Sequence, residues 1–166
     1  MGKSIPATGG NDRVNTGLDE VARQKIATAL GPVLADTFAL YLKTHTYHWN
    51  VTGPQFGQLH ALFAEQYNAL WLSVDDLAER IRALGFPAPG GLATFGRLST
   101  LGEPETAPSA EEMIRDLMHG HEALARILRP VAGMAGEAGD IVTEDLMVQR
   151  IDAAEKTAWM LRVQLA

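Results

Sequence analysis

Residues 41–60 read YLKTHTYHWNVTGPQFGQLH, and this stretch decides the fold because it holds the end of one helix, a turn and the start of the next helix. Residues 50–54 combine Asn, Gly and Pro, which interrupt helices and form turns. Apolar residues recur in steps of three and four on both sides of the turn, so two amphipathic helices are predicted. An antiparallel hairpin of this kind places His48 and His60 at the same end of a helical bundle.

Working outward from the turn, the apolar periodicity predicts a first helix over residues 18–48 and a second over residues 55–84. Thr16 and Asp19 resemble a capping box at the start of the first helix. Pro32 lies within that helix and allows a kink or a local loosening there.

A long connection separates the second helix from the third. Residues 86–108 hold four prolines and several glycines, and residues 93–98 could form a short helix inside the connection. The sequence therefore predicts an all-α, up-down-down-up four-helix bundle with one long crossover between helices 2 and 3. We place this domain at residues 16–166 and a flexible N-terminal tail at residues 1–15.

The second half of the chain predicts the two remaining helices. Ser109 begins the third helix, and Glu112 completes a capping box with it. Pro130 should bend or end this helix, because proline lacks the backbone N–H that continues the hydrogen-bond ladder. A glycine-marked turn follows, and the fourth helix spans residues 141–164. The glycines expected in that turn are Gly133, Gly136 and Gly139.

Composition narrows the classes of function. The chain contains no cysteine, so any metal would be held by imidazole and carboxylate groups, which suit iron, manganese or zinc. The formal net charge of -6 disfavours a nucleic-acid binder, because such proteins usually present a basic surface. No apolar run is expected to reach membrane-spanning length, and the N-terminus does not resemble a signal peptide. We therefore expect a cytoplasmic protein.

Two histidines and two carboxylates form the candidate metal site. Asp75 and Glu79 are spaced i, i+4 and share one helical face, although such pairs are more often a solvated acidic surface. Likewise, a lone helical histidine is more often structural than ligating. His60 and Asp75 are separated by roughly 22 Å along one helix, so they cannot bind the same ion within one chain. If His48, His60, Asp75 and Glu79 are all ligands, two copies must pack antiparallel about a two-fold axis and share the site.

A di-iron site inside a single bundle is the alternative. It needs a Glu-x-x-His pair on each of two helices. The chain has no such pair, and the nearest approximation is Asp116 followed by His119. This alternative is therefore the weaker one, and we assign structural roles to His119 and His121.

Several motifs together resemble the Dps family, the DNA-binding proteins from starved cells that are also called miniferritins. The motifs are the run from Tyr41 to Pro54, then Phe56, Leu59-His60, Gln66-Tyr67, Val74-Asp75 and Ala78 to Ile81, with Glu155 to Arg162 similar to the last helix of the family. The resemblance implies a ferritin-like four-helix bundle assembled into a hollow dodecamer. It also implies a ferroxidase that oxidises Fe(II), often with hydrogen peroxide, and stores Fe(III) inside the shell as part of a stress response. Iron would be the only cofactor, with no organic cofactor.

The family's site residues can be carried over by position. His48 and His60 match the two histidines of one subunit, and Asp75 and Glu79 match the two carboxylates of its two-fold partner. The resemblance therefore implies ferroxidase sites at the dimer interfaces, in agreement with the spacing of these residues.

One position departs from the family pattern. Family members commonly carry Asp or Glu one turn after the second histidine, where this chain has Ala64. Glu65 is adjacent but lies about 100° around the helix, so it should not substitute directly. We expect one firm iron position per subunit and a second that is weaker or absent.

Three aromatic or imidazole groups are expected near the site. Trp49 and Trp71 could intercept oxidising equivalents, but packing at the dimer interface is the favoured interpretation, because aromatic residues dominate such burial. His45 lies one turn before His48 and could support the ligands or simply be exposed.

The main competing function is a nucleoid shell that binds and protects DNA, with weak or no ferroxidase activity because of Ala64. In the family, DNA binding often relies on tails rich in Lys and Arg. Here Lys3 and Arg13 are balanced by Asp12 and Asp19. We therefore expect weak or no DNA binding at physiological salt, although association with the nucleoid stays open. A third possibility is a shell that assembles but has lost its ferroxidase activity.

Overall fold

The computed structural model describes residues 14–102 and 108–166, which contain helices, turns and loops and no strand. The five helices are α1 (Glu20–Asn50), α2 (Phe56–Ala83), α3 (Leu92–Leu98), α4 (Ala110–Glu137) and α5 (Ile141–Val163). The prediction of four long helices, with a short one in the crossover, is confirmed. The predicted tail falls mainly on residues 1–13, which lie outside the described residues, so it stays a prediction.

The four long helices form two antiparallel hairpins. α1 and α2 make the first hairpin and α4 and α5 the second, and α1 also packs against α4 and α3. Gly120 permits the close approach of α4 to α1, because a Cβ there would lie 2.6 Å from the Leu40 Cδ1 atom. α2 and α5 touch at only a few positions. The seam between them is therefore the loosest contact in the bundle.

The core explains why α1 is unusually apolar. α1 supplies Ile26, Leu30, Leu34 and Leu40, each at most 1 % exposed. By length and composition alone, α1 would pass as a membrane span. However, 56 % of its most apolar window is buried inside the bundle, which is typical of a core helix.

The crossover is tied to α1 by a buried carboxylate. Asp36 is fully buried and accepts hydrogen bonds from the Ser99 hydroxyl and from both the backbone N–H and the hydroxyl of Thr100, over 2.6–2.7 Å. A buried charge is stabilised only when its oxygens are satisfied in this way. The end of α3 is thereby held against the middle of α1.

The predicted start of the first helix is wrong in detail. Asp19 is the N-cap residue, and its side chain accepts a hydrogen bond from the Ala22 backbone N–H at 3.0 Å. Thr16 lies outside the helix, because Gly17 adopts a φ of 87°, which a right-handed helix cannot include. In contrast, the predicted capping box of Ser109 and Glu112 is confirmed at the start of α4.

The predicted end of the third helix is also wrong. α4 continues through Pro130 to Glu137, so Gly133 and Gly136 are helical. Pro130 and Arg126 are both exposed, so water can reach the Arg126 carbonyl that lacks a helical donor. Only Gly139, with a φ of 73°, adopts the left-handed backbone that ends the helix.

Candidate metal centre

The end of the α1–α2 hairpin brings His48 and His60 into direct contact. Their imidazole rings stack with centroids 3.8 Å apart and an angle of 21° between the ring planes. The His48 Nδ1–H donates to the His60 carbonyl at 2.7 Å, and the His60 Nδ1–H donates to the His48 carbonyl at 2.9 Å. The two residues therefore hold each other through a reciprocal pair of hydrogen bonds to the backbone.

This reciprocity determines which ring nitrogens can bind a metal. A carbonyl oxygen only accepts hydrogen bonds, so both Nδ1 atoms must carry the proton. The two Nε2 atoms are then left with lone pairs, and the rings cannot rotate without losing a hydrogen bond. Metal-binding histidines are commonly oriented through their other ring nitrogen in this way. The pair thus presents two oriented imidazole nitrogens that could hold a metal ion.

Asp75 and Glu79 lie elsewhere on α2. Both are exposed, and neither side chain makes a hydrogen bond or an ion pair with the described residues. The neighbouring Arg80 is directed to α5 instead, where its Nη2 atom lies 2.7 Å from the Asp140 Oδ1 atom. The two carboxylates therefore keep their charge uncompensated by the adjacent arginine.

Thr143 and Arg80 together favour the ionised form of Asp140. Burial raises the pKa of Asp140, but hydrogen bonds from Thr143 and Arg80 outweigh it, and the pKa is lowered overall. Asp140 is thus an ionised partner for Arg80 at neutral pH, and it caps α5 by accepting from the Thr143 backbone N–H at 3.0 Å.

A single subunit does not bring the four predicted ligands together. Among residues 14–102 and 108–166, no group of three or more His, Asp or Glu side chains is placed to hold an ion. His60 and Asp75 are about 22 Å apart along α2 by its helical rise. One chain therefore places the histidine pair and the carboxylate pair apart from each other, with His60 and both carboxylates on α2 and His48 on α1.

Ala64 lies one turn after His60 and is half-buried, whereas Glu65 is exposed. A methyl group offers no lone pair, and Glu65 follows a different direction around α2. No carboxylate on this turn of α2 therefore accompanies the histidine pair.

An aromatic cluster surrounds the histidines. His45 stacks on Tyr67 with ring centroids 3.9 Å apart, and its Nδ1 atom lies 3.3 Å from the Tyr41 hydroxyl. Burial, with a smaller contribution from the charge of His48, lowers the pKa of His45. Tyr67 also contacts His48 edge-on at 5.2 Å. The sequence analysis assigned Tyr67 no role at the site, although it lies two turns after His60 on the same helical face.

Two tryptophans extend this cluster to the surface. The Trp49 ring lies 4.2 Å from His45 and the Trp71 ring 5.3 Å from Tyr41, measured between centroids. Their exposed fractions in the isolated subunit are 60 % and 52 %. Tryptophans this exposed next to a polar half-site are typical of a protein–protein interface.

The alternative site within one bundle does not form around Asp116. The Asp116 Oδ2 atom accepts from the Tyr47 hydroxyl at 2.5 Å, and the carboxylate pairs with Lys43 at 3.0 Å. Burial, followed by the hydrogen bond to Asp116 and its charge, raises the pKa of Tyr47. His119 is exposed on α4. Asp116 therefore links α4 to α1 and is not available as a ligand.

Comparison with known proteins identifies one matching family and several similar proteins. The ferritin-like domain family matches residues 27–166. The chain is 41 % identical over 152 residues to an uncharacterised low temperature-induced protein of Nostoc sp., covering 90 % of this chain and 85 % of that one. It is 32 % identical over 142 residues to DNA protection during starvation protein 2 of Bacillus anthracis, covering 86 % and 97 %.

A solved structure of a Dps protein is also similar to this chain. The Dps protein of Vibrio cholerae O1, described as a member of a broad superfamily of ferritin-like diiron-carboxylate proteins, superposes with a TM-score of 0.89. The two chains are 34 % identical, and the match covers 95 % of this chain and 100 % of that one.

Proposed function

The chain belongs to the Dps family of ferritin-like proteins, and on that premise we propose that it is a ferroxidase that oxidises Fe(II) and stores Fe(III). The active unit would be a hollow homododecamer in the cytoplasm, and its work would limit oxidative damage to the cell and its DNA. The observation that carries this proposal is the reciprocal hydrogen bonding of His48 and His60. It fixes two Nε2 lone pairs at one end of the bundle.

The proposed site combines two subunits. His48 and His60 of one subunit would bind Fe(II) together with Asp75 and Glu79 of the partner subunit. Imidazole nitrogens and carboxylate oxygens form a mixed ligand set that suits Fe(II), and the two negative charges favour the trivalent product. The uncompensated Asp75 and Glu79 and the exposed tryptophans support this arrangement, because both features are explained by a partner that covers this face.

The proposed oxidant is hydrogen peroxide. One molecule of peroxide accepts one electron from each of two Fe(II) ions and, with two protons, leaves as two molecules of water. The O–O bond is broken without release of a hydroxyl radical. Two Fe(II) ions must therefore react with each peroxide, and the missing carboxylate at Ala64 makes the occupancy of the second position the limiting feature of this site.

Subunit complementation tests the shared site. One variant carries His48→Ala and His60→Ala, and the other carries Asp75→Ala and Glu79→Ala. Each homododecamer should be inactive. A one-to-one co-assembled mixture should recover about a quarter of the wild-type rate, because half of the two-fold dimers are mixed and each mixed dimer has one intact site. Stopped-flow oxidation of Fe(II) by peroxide measures the rate.

The control for complementation is a mixture of the histidine variant with a variant that carries all four substitutions. This mixture contains no intact pair of half-sites and should stay inactive, while size-exclusion chromatography shows that all mixtures assemble. A one-to-one mixture as inactive as its parents would contradict the shared site.

The competing proposal, a shell that acts mainly by binding DNA, is less well supported by the charge distribution. The formal net charge is -6, and residues 1–19 carry equal numbers of acidic and basic groups. A dodecamer multiplies this charge, so its repulsion from phosphate should be strong. We expect no shift of plasmid DNA in a gel at about 150 mM salt without divalent ions. A clear shift under those conditions would favour the DNA-binding shell.

A further inference from the structure

A cavity lies inside the bundle, at the loose seam between α2 and α5. Its volume is about 170 Å³, which is room for roughly five water molecules. Six polar side chains line it, together with leucine and alanine residues. The polar residues are Thr37, Gln66, Ser73, His121, Arg150 and Thr157, and the exposed residues Ala69 and Ala153 also line the cavity.

The lining contains polar atoms that lack hydrogen-bond partners among the described residues. These atoms are the Gln66 Oε1 atom, both ring nitrogens of His121 and the Arg150 Nε atom. His121 is 4 % exposed and Gln66 is 8 % exposed. A buried polar atom without a partner is costly, so four such atoms in three residues that line one cavity point to a polar occupant.

The positive charge of Arg150 determines whether the cavity favours an anion or a cation. Arg150 donates from its Nη1 atom to the Ser73 hydroxyl oxygen, and it has no carboxylate within ion-pair distance among the described residues. No Asp or Glu lines the cavity. A metal cation would be repelled by this uncompensated guanidinium, whereas an anion would be attracted.

The hydrogen-bonding groups of the cavity further limit the chemical class of its occupant. The Arg150 Nε–H and one nitrogen of neutral His121 can donate, whereas the Gln66 Oε1 atom and the other His121 nitrogen can only accept. A halide or a fully deprotonated oxyanion accepts hydrogen bonds but has no proton to donate to Gln66. An oxyanion that keeps a proton offers both functions.

We propose that this cavity is a binding site for a small protonated oxyanion, with hydrogenphosphate as its representative. The oxyanion accepts from Arg150 and His121, and its own hydroxyl donates to the Gln66 Oε1 atom. The site is built by one chain, so it neither requires nor uses the residues of the proposed iron centre. Water alone, chloride or sulfate are the competing occupants.

Calorimetric titration of the iron-free assembled protein with inorganic phosphate, in a phosphate-free buffer, tests the proposal. We expect saturable binding of one phosphate per subunit, and clearly weaker binding of sulfate and chloride. The absence of saturable phosphate binding would show that water fills the cavity and would overturn the proposal. Sulfate binding as tight as phosphate binding would also overturn it, because sulfate has no proton to donate at neutral pH.

Three variants assign the binding to this cavity. Arg150→Gln should weaken phosphate binding by about tenfold to a hundredfold, because a charged hydrogen-bond donor is removed. The matched control Arg126→Gln removes an exposed arginine of α4 and should leave phosphate affinity unchanged. Equal affinities for Arg150→Gln and wild type would place the phosphate elsewhere.

The third variant separates binding from folding. Gln66→Met keeps the size of the side chain but removes the acceptor, so it should abolish the preference for phosphate over sulfate while sulfate affinity is kept. A preference that survives in Gln66→Met would contradict the proposed hydrogen bond. This comparison, like the phosphate and sulfate titrations of the wild type, stays decisive even if Arg150→Gln does not assemble.

Discussion

The end of the α1–α2 hairpin and the seam between α2 and α5 both contain histidine, but the two regions satisfy their polar atoms in opposite ways. At the hairpin end, His48 and His60 each donate to the backbone carbonyl of the other. At the seam, neither ring nitrogen of His121 has a partner among the described residues. The first arrangement orients two lone pairs in advance, whereas the second requires an occupant to complete it.

The two regions also differ in what would complete them. The hairpin end has no carboxylate one turn after His60, because Ala64 occupies that position, and Asp75 lies about 22 Å further along the helix. The proposed iron site therefore needs a second copy of the chain. The seam is enclosed by four helices of one chain, so a small molecule is sufficient. The two regions both contain histidine, so it is the hydrogen bonding of the imidazole rings that distinguishes the proposed half-site for iron from the proposed ligand cavity.

The largest expected effect tests the hairpin end. Asp75→Ala should lower the rate of Fe(II) oxidation by about tenfold to a hundredfold, because it removes a charged oxygen ligand from the shared site. Stopped-flow absorbance of the Fe(III) product measures the rate. The control is Asp76→Ala, which removes the adjacent exposed carboxylate and should retain most of the activity. Equal losses in both variants would mean that only the overall acidity of α2 matters.

The next effect is a dependence of stability on pH, which arises from His121 at the seam between α2 and α5. Burial lowers the pKa of His121 from its ordinary value of 6.5 to about 4. Between these values the unfolded chain binds a proton that the folded chain does not, so stability falls as the pH falls from 6.5 towards 4. At pH 5 the loss should be about 2 kcal/mol relative to pH 7.5.

The matched variants for this pH dependence are His121→Leu and His119→Leu. His121→Leu should flatten the difference in the free energy of unfolding between pH 7.5 and pH 5, measured by chemical denaturation in phosphate-free buffer. His119→Leu removes an exposed histidine of the same helix and should keep the wild-type dependence. If the free energy of unfolding of His121→Leu still falls between pH 7.5 and pH 5 as in the wild type, His121 is not the group responsible.

The smallest expected effect concerns the missing carboxylate at position 64, near the hairpin end. Ala64→Glu should increase the Fe(II) bound per subunit, or speed its oxidation severalfold, by supplying an oxygen ligand on the same face as His60. Anaerobic titration followed by stopped-flow measures both quantities. Ala61→Glu places the same charge on an exposed position of α2 as a control. No change in Ala64→Glu would mean that the second iron position does not depend on this residue.

Much of the fold was predictable because helices are local structures. The three- and four-residue periodicity and the turn at residues 50–54 predicted the first hairpin to within a few residues, as the observed helices Glu20–Asn50 and Phe56–Ala83 show. The errors lay at helix ends. Pro130 and Gly133 do not end α4, since one missing N–H on an exposed face is tolerated and, of the three glycines expected in the turn, only Gly139 adopts a positive φ.

The amino-acid sequence by itself determined the helical fold class, the types of candidate ligand and their separation along α2, because these follow from periodicity and helical rise. Only the tertiary structure decided that His48 and His60 exchange hydrogen bonds and that His121 faces a cavity with Gln66 and Arg150. These features join residues from different helices. They depend on how closely the helices pack. The loose seam between α2 and α5 leaves a cavity, and the residue pattern within a single helix does not predict such a cavity.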